Sequence, residues 1–455
     1  MVRVRTVVGS CWSCKKRRIR CDLGKPGCVR CSLIGASCDY GEKCIRWNSK
    51  AATSIPAVYQ ANDMGSYHAT SLAVNEKRAL EYFHGRLWPL FTTASEPCSP
   101  PIVMALQHRV LLLAICVISD GHRILQDGRN DRRMLKSKHL ECLAAVRGEL
   151  DTHCQSGDRL PVSLLLAVLF LYFHGGYMDC TLDMASTASH HAGVRAIIAG
   201  LGGIEAILDE CPEPLHMLLS EFASADLTTT MIKGGSPAYG PAFWLAVDKR
   251  CVWWSRDPLG RSSLASVFSG ISRMIAYQVG LLNKGEGPDT DRILEFEALF
   301  DPVYIPVTSG GLGNHEGGSK TATKNSLEIF NAFSLIRAFQ LAALIYLRRA
   351  VCGLPTLHPL VQQHVLPCLD CILDMVQPTM VFNCVIFPLL ITGAHVQSLG
   401  YRRKVRNLVS AIHRDMKFCS VQSAGVFLDR LWASRPEVLS WYQMFAGLNL
   451  DAVIL

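Results

Sequence analysis

From about Asn75 onward, apolar residues recur at helical spacing and are punctuated by Gly, Pro and Asp. The clearest stretch is 325–352. Asn325 and Glu328 make a capping-box-like start, Arg348 and Arg349 occupy the last turn, and Gly353 and Pro355 end it. Ala332, Ile336, Phe339, Ala343, Tyr346 and Ala350 fall on one stripe, while Leu335, Leu341, Leu344 and Ile345 cover other faces. That spacing predicts a central helix buried nearly all round. Residues 401–417 read as amphipathic instead, with Val405, Leu408, Val409, Ile412 and Met416 facing inward. Similar patterns predict helices near 76–93, 103–119, 131–150, 161–174, 184–199, 213–225 and 356–376. Strand-like alternation is scarce, so 75–455 is expected to be all-helical. Residues 49–74 are rich in Ser, Ala and Gly without periodicity and read as a flexible linker.

Composition adds a core and an asymmetry. A chain of 455 residues implies two or three folding units. At 49% apolar and 18% charged it can bury a large core, which excludes a mostly disordered protein. The net charge of +8 is unevenly spread: residues 1–50 hold 12 Lys/Arg against 3 Asp/Glu, and the rest of the chain is nearly balanced. The positive excess thus sits in one small module, which implies a polyanionic partner, because neutralising phosphates releases condensed counterions.

Nineteen cysteines could suggest a secreted disulfide protein. Residues 1–10, a tail ahead of the first cysteine, lack the apolar stretch of a signal peptide. The apolar runs Val110–Ile118 and Leu164–Phe173 fall short of the ~20 residues that span a bilayer. A reducing intracellular setting without a membrane is the expectation, with cysteine serving as core residue or metal ligand.

Six cysteines crowd into 11–48: Cys11, Cys14, Cys21, Cys28, Cys31 and Cys38, spaced C-x2-C-x6-C-x6-C-x2-C-x6-C. A shift of 17 maps the first three onto the last three. Each half offers three thiolates, whereas structural zinc takes four in a tetrahedron. Two Zn2+ ions are satisfied by six thiolates only if two cysteines bridge both metals, so the count predicts a closed, pseudo-twofold cluster. Each C-x2-C pair should open a short helix, with Pro26 and Gly27 turning the chain between the halves. The first x6 segment carries Lys15, Lys16, Arg17, Arg18 and Arg20, and the second, Ser32–Ser37, carries no cation. Equal metal spacing with unequal charge assigns nucleic-acid contact to the first half and scaffolding to the second.

These residues resemble the fungal binuclear zinc-cluster transcription factors at every cysteine, at Cys21-Asp22, in the proline loop and in the tail Cys38-Asp39-Tyr40-Gly41. The resemblance implies a nuclear, sequence-specific regulator of RNA polymerase II-type promoters, pathway-specific and activating, that binds double-stranded DNA. It further implies that Cys11 and Cys28 bridge the metals, that the helix near Ser13–Arg18 enters the major groove, and that Arg18 makes the main contact to a CGG-like triplet. Lysine is usual there; arginine can donate bidentately to guanine. The order of elements in 75–455 resembles the second class of fungal-specific transcription factor domain, through Ala79–His84, Ser186–Leu201, Ile386–Ala394, Leu431-Trp432 and Trp441. Such domains regulate the DNA-binding half, and some take a small apolar effector; a ligand pocket and a plain packed core both remain open. No a/d heptad is sustained in the linker. A homodimer through the helical domain and binding to a single half-site are therefore both open.

Other features read as structural. Cys368 and Cys371, near His364, lie in an apolar helical pattern and suit core packing. Arg402, Arg403, Lys404 and Arg406 suit a solvated helix face. Gly310–Gly318 lacks phosphate-loop spacing, Cys44 lies outside the ligand repeat, and His174-Gly175-Gly176 is accompanied by no G-x-S-x-G. No nucleophile–base set, open metal site or paired carboxylates emerge, so an enzyme is not expected. An RNA scaffold using the same basic patch is disfavoured, since the deep, narrow A-form major groove does not admit a reading helix.

Overall fold

A computed structural model describes residues 11, 13–14, 17, 19–38, 72–91, 98–128, 132–179, 184–210, 213–250, 263–300, 320–377, 379–434 and 438–448. The chain separates into two units, Met1–Tyr67 and His68–Leu455. Most of the linker, Gly310–Gly318 and Cys44 lie outside the described residues. Among those described there is no β-strand. The structure is mostly α, with a small cysteine-rich unit and a large helical one.

The first unit holds the short helix α1 (Val29–Ser32) and a helical turn at Ser13–Cys14. The second comprises α2 (Val74–Tyr82), α3 (Ile102–Gln107), α4 (Arg109–Asp127), α5 (Arg132–Ser156), α6 (Val162–Phe173), α7 (Met184–Gly200), α8 (Ile204–Glu210) and α9 (Glu213–Lys233). It continues with α10 (Pro241–Arg250), α11 (Leu264–Lys284), α12 (Thr290–Phe300), α13 (Lys320–Tyr346) and α14 (Pro359–Leu373). The last four are α15 (Ile386–His395), α16 (Leu399–Met416), α17 (Cys419–Ala433) and α18 (Trp441–Phe445). Within this unit α4 packs on α5 and α6, α13 on α14, α10 on α11, and α16 on α17.

Two helices bear out the periodicity. Along α13 the stripe and its flanks are buried together, from Leu335, Ile336 and Phe339 to Ile345 and Tyr346. Its start at Lys320 is five residues earlier than the Asn325 cap suggests, and its last turn, Leu347–Val351, widens into a π-helix. Unlike the runs Val110–Ile118 and Leu164–Phe173, Leu327–Val351 is long and apolar enough to cross a membrane, but 78% of its most apolar stretch is buried within the unit. In α16 Val405, Val409, Ile412 and Met416 are buried and Arg403, Lys404 and Arg406 are exposed, as expected. Leu408 is half-buried, and so is Arg402, expected on the solvated face, whose Nε donates to the Val396 carbonyl at 3.2 Å.

The helix expected at 103–119 is instead two. His108, extended at φ −124° and ψ 107°, ends α3 and caps α4. Beyond residue 119, α4 continues through polar side chains that are buried but paired. Asp120 receives Lys138 Nζ at 2.5 Å and Arg123 Nη2 at 2.7 Å. His122 accepts from Tyr82 Oη at Nδ1, 2.9 Å away, and donates from Nε2 to the Met416 carbonyl at 2.7 Å. One ring thereby ties α2 and α4 to the end of α16.

The C-terminal helices close on the rest through indole and glycine contacts. Trp441 Nε1 donates to the Met231 carbonyl at 2.6 Å and Trp432 Nε1 to the Gly393 carbonyl at 2.9 Å. At Gly393 a Cβ would lie 2.9 Å from Leu428 Cδ1 and 3.0 Å from Val405 Cγ1, so the missing side chain lets α15 meet α16 and α17. Gly393→Ala is expected to destabilise the unit by about 1–3 kcal/mol through overpacking. Urea unfolding monitored by circular dichroism measures this; an unchanged midpoint would show that Leu428 and Val405 yield freely.

Of the remaining motifs, Cys368 is core while Cys371 and His364 are half-buried. Cys368 is fully buried, its thiol donates to the Ala338 carbonyl at 3.3 Å, and burial pushes it up to about 12. A protonated, packed thiol is the result. His174, Gly175 and Gly176 lie buried in a π-helical turn after α6.

Candidate metal centre

The cysteine unit is built around sulfur rather than around an apolar core. Cys11, Cys14, Cys21, Cys28 and Cys31 are buried and Cys38 partly so; among the described residues, the apolar side chains Ile19 and Ala36 pack against them. The shift of 17 relates Ile19 to Ala36, so the repeat extends from the thiols to their apolar cover. Residues 13–14 are helical, with the Arg17 and Ile19 amides donating back to the Ser13 and Cys14 carbonyls at 3.2 and 3.1 Å. Cys28 is the N-cap of α1. Each C-x2-C pair therefore opens a helical turn, as the spacing predicts, and the bend at 25–27 lies between the halves.

The thiols fall into two groups of four. Cys11, Cys14, Cys21 and Cys28 form one, Cys11, Cys28, Cys31 and Cys38 the other, with all sulfurs of a group within 4.8 Å of one another. Cys11 and Cys28 belong to both. Sγ of Cys28 lies 3.7 Å from that of Cys11 and 3.6 Å from that of Cys14. A zinc–sulfur bond of about 2.3 Å implies a tetrahedral edge of about 3.8 Å, so the spacing suits thiolates around a shared ion. It is far beyond a disulfide bond of about 2.05 Å.

Electrostatics argue the same way. Burial pushes the Cys11 thiol up to about 12 and Cys28 higher, while Cys31 is lowered to about 7, chiefly by the Ser13 hydrogen bond. Crowded buried thiols without a cation keep their protons, whereas a coordinating metal deprotonates them. Amide N–H groups already face the sulfurs: Cys14 toward Cys11 at 3.4 Å, Leu23 toward Cys21 at 3.4 Å, and Cys28 toward Cys38 at 3.2 Å. Each group offers four sulfurs and no other donor among the described residues, the ligand number and type of structural zinc.

Two residue models match this chain. The fungal Zn(2)-Cys(6) binuclear cluster domain matches residues 9–48, and the fungal specific transcription factor domain matches residues 313–454. The chain belongs to the fungal binuclear zinc-cluster transcription factors. It is a DNA-binding regulator of that family, and its zinc-cluster domain binds two zinc ions. The regulatory match covers the C-terminal part of the helical unit; residues 75–312, expected in the same domain, precede it. No curated protein and no solved structure matches the chain.

The basic residues assigned to DNA are divided. Lys15, Lys16 and Arg18 lie outside the described residues. Arg20 is exposed just past the first helical turn. Arg17 is half-buried and turned back onto the cluster, with Nη2 3.4 Å from Cys31 Sγ. Asp22 holds the halves together: its carboxylate accepts from the Val29 amide at 3.0 Å and the Arg30 amide at 3.4 Å, chiefly the former keeping it below the usual carboxylate range. Asp22 lies seven positions before the helix it caps, so no local capping signature announces it.

Proposed function

We propose that this zinc-cluster regulator activates pathway-specific RNA polymerase II-type promoters in the nucleus by reading CGG-like triplets through Arg18. The observation carrying the reading is the closed, doubly shared thiol cluster joined to a five-cation segment whose repeat partner has none. Cys11 and Cys28, common to both groups of sulfurs, would hold both ions, with Cys14 and Cys21 completing one set of ligands and Cys31 and Cys38 the other. Bound zinc supplies a rigid frame in place of a hydrophobic core, fixing the turn that begins at Ser13. Lys15, Lys16 and Arg20 contribute phosphate contacts that set register and salt dependence, while Arg18 donates to guanine O6 and N7. Residues 75–455 act as one regulatory unit without catalytic work, through which a homodimer or a small apolar effector can act on DNA binding.

The test is selection from a random duplex library with zinc-loaded full-length protein. Enrichment of CGG-type triplets is expected, paired at fixed spacing if the chain dimerises. Arg18→Ala should lose about 1–3 kcal/mol of discrimination at one base position while keeping its zinc. Binding without any enriched sequence would replace this reading with a non-specific nucleic-acid scaffold, and preference for RNA over duplex DNA would do the same.

A further inference from the structure

One of the five cations of the basic segment is committed to the metal centre. Arg17 Nε donates to the Ser13 carbonyl at 3.2 Å, and Nη2 reaches Cys31 Sγ at 3.4 Å and Cys14 Sγ at 3.8 Å. Cys14 belongs only to the first group of four thiols and Cys31 only to the second. A single guanidinium therefore straddles one unshared sulfur from each metal site. We propose that Arg17 is a positioning residue, a clasp across the two zinc sites, and that its side chain contacts neither phosphate nor base.

Charge explains why a clasp is needed there. Two divalent ions and six thiolates leave the cluster with a surplus of negative charge, and terminal sulfurs carry more of it than bridging ones. A guanidinium offers several donors in a rigid planar fork, enough to meet two sulfurs and a carbonyl together; a lysine ammonium on its flexible stem is a point charge. Charge-assisted donation to the sulfurs stabilises the thiolate form, and the Ser13 bond fixes the fork to the turn that faces DNA. The shift of 17 puts Ile34 at the equivalent place in the second half, where it is 56% exposed and offers no donor. The clasp is thus built once, in the basic segment and not in its repeat partner, and couples the turn that begins at Ser13 to both metals.

The inference rests on the two-zinc reading, and the experiment separates the two. Full-length Arg17→Met and Arg17→Lys proteins, loaded with zinc, are mixed with a colorimetric chelator, and zinc release is timed against wild type. Release from Arg17→Met should be roughly tenfold faster, as for other residues that hold a metal ligand in place, with Arg17→Lys between. In the cobalt-substituted proteins the sulfur-to-metal charge-transfer band should shift, a change that general loosening of the fold would not produce. Affinity for short duplexes with and without a CGG triplet is then followed against salt, and the slope should stay at the wild-type value. Unaltered release overturns the clasp whatever DNA binding does. A slope smaller by about 0.9 also overturns it, because Arg17 would then be neutralising a phosphate. If Arg17→Met takes up no zinc, the Arg17→Lys rate decides. A wild-type chain that holds no zinc refutes the metal reading instead.

Discussion

Cys28→Ala is expected to leave the protein with no bound zinc, not with one ion. Cys28 stands in both groups of four sulfurs and is fully buried, so its loss removes a ligand from each tetrahedron at once. It is also the N-cap of α1, and its amide donates to Cys38 Sγ. A structural zinc site is worth roughly 10–16 kcal/mol of folding free energy at neutral pH, more than the apolar contacts of Ile19 and Ala36 can replace. Cys38→Ala is the comparison, since it spares the group formed by Cys11, Cys14, Cys21 and Cys28. Zinc per chain, measured by elemental emission after desalting, should fall from two to none for Cys28→Ala, with duplex binding lost. For Cys38→Ala it should fall to one. Equal retention by both variants would mean that the sites do not share Cys28.

The second large effect lies in the helical unit, at Arg349. This cation is 3% exposed. It is held by the Leu439 carbonyl at 2.7 Å from Nη2, by the Leu354 carbonyl, and by His395 Nε2 at 3.3 Å from Nε. His395 donates from Nδ1 to the Ile391 carbonyl at 2.7 Å, which leaves Nε2 free to accept. The loop carbonyls of Leu354 and Leu439, with the His395 imidazole, thus take the place of a carboxylate. Arg349→Ala strands these acceptors and opens a cavity, and should destabilise the unit by about 3 kcal/mol, read from the urea midpoint. A loss below about 1 kcal/mol would show that water replaces the guanidinium at no cost. Acid acts on the same network. Burial, before the nearby Arg349 charge, lowers His395 to about 3, below its unfolded value. Its contribution is therefore complete above about pH 6.5 and is lost as pH falls toward 3. His395→Gln should flatten that part of the stability profile.

How much of this was legible in the sequence depended on whether a residue's role was local. The cysteine spacing is a local code that satisfies itself, so the two groups of four and their shared pair could be counted. The α13 and α16 stripes were equally plain, since burial repeats with the helix turn. Legibility failed where distant partners made a polar or glycine position acceptable. Asp120 and His122 look like the end of a helix until Lys138, Tyr82 and the Met416 carbonyl are in place. Helix α11 was missed although Ser263 and Ser266 cap it reciprocally. At its Gly270 a Cβ would lie 2.7 Å from Leu299 Cδ2, so the glycine is a notch for α12 that only the tertiary contact explains. Arg17 was grouped with its basic neighbours because a run of cations carries no mark of which one turns inward.

The bond from Trp441 to Met231 joins positions 210 residues apart, and Arg349 awaits a carbonyl at Leu439. At about ten residues per second on the ribosome, Trp441 is made on the order of 20 s after Met231. Leu439 follows Arg349, 90 residues earlier, by about 9 s at the same rate. So α9 and then the end of α13 exist for a time without the contacts that complete them, exposing the surface meant for an indole and a cation that is buried in the finished fold. A reading frame stopped just before Leu439 would release a chain in that unfinished condition permanently. Such a product would be a substrate for chaperones and proteases, so a late nonsense codon should remove the regulator from the cell rather than merely shorten it.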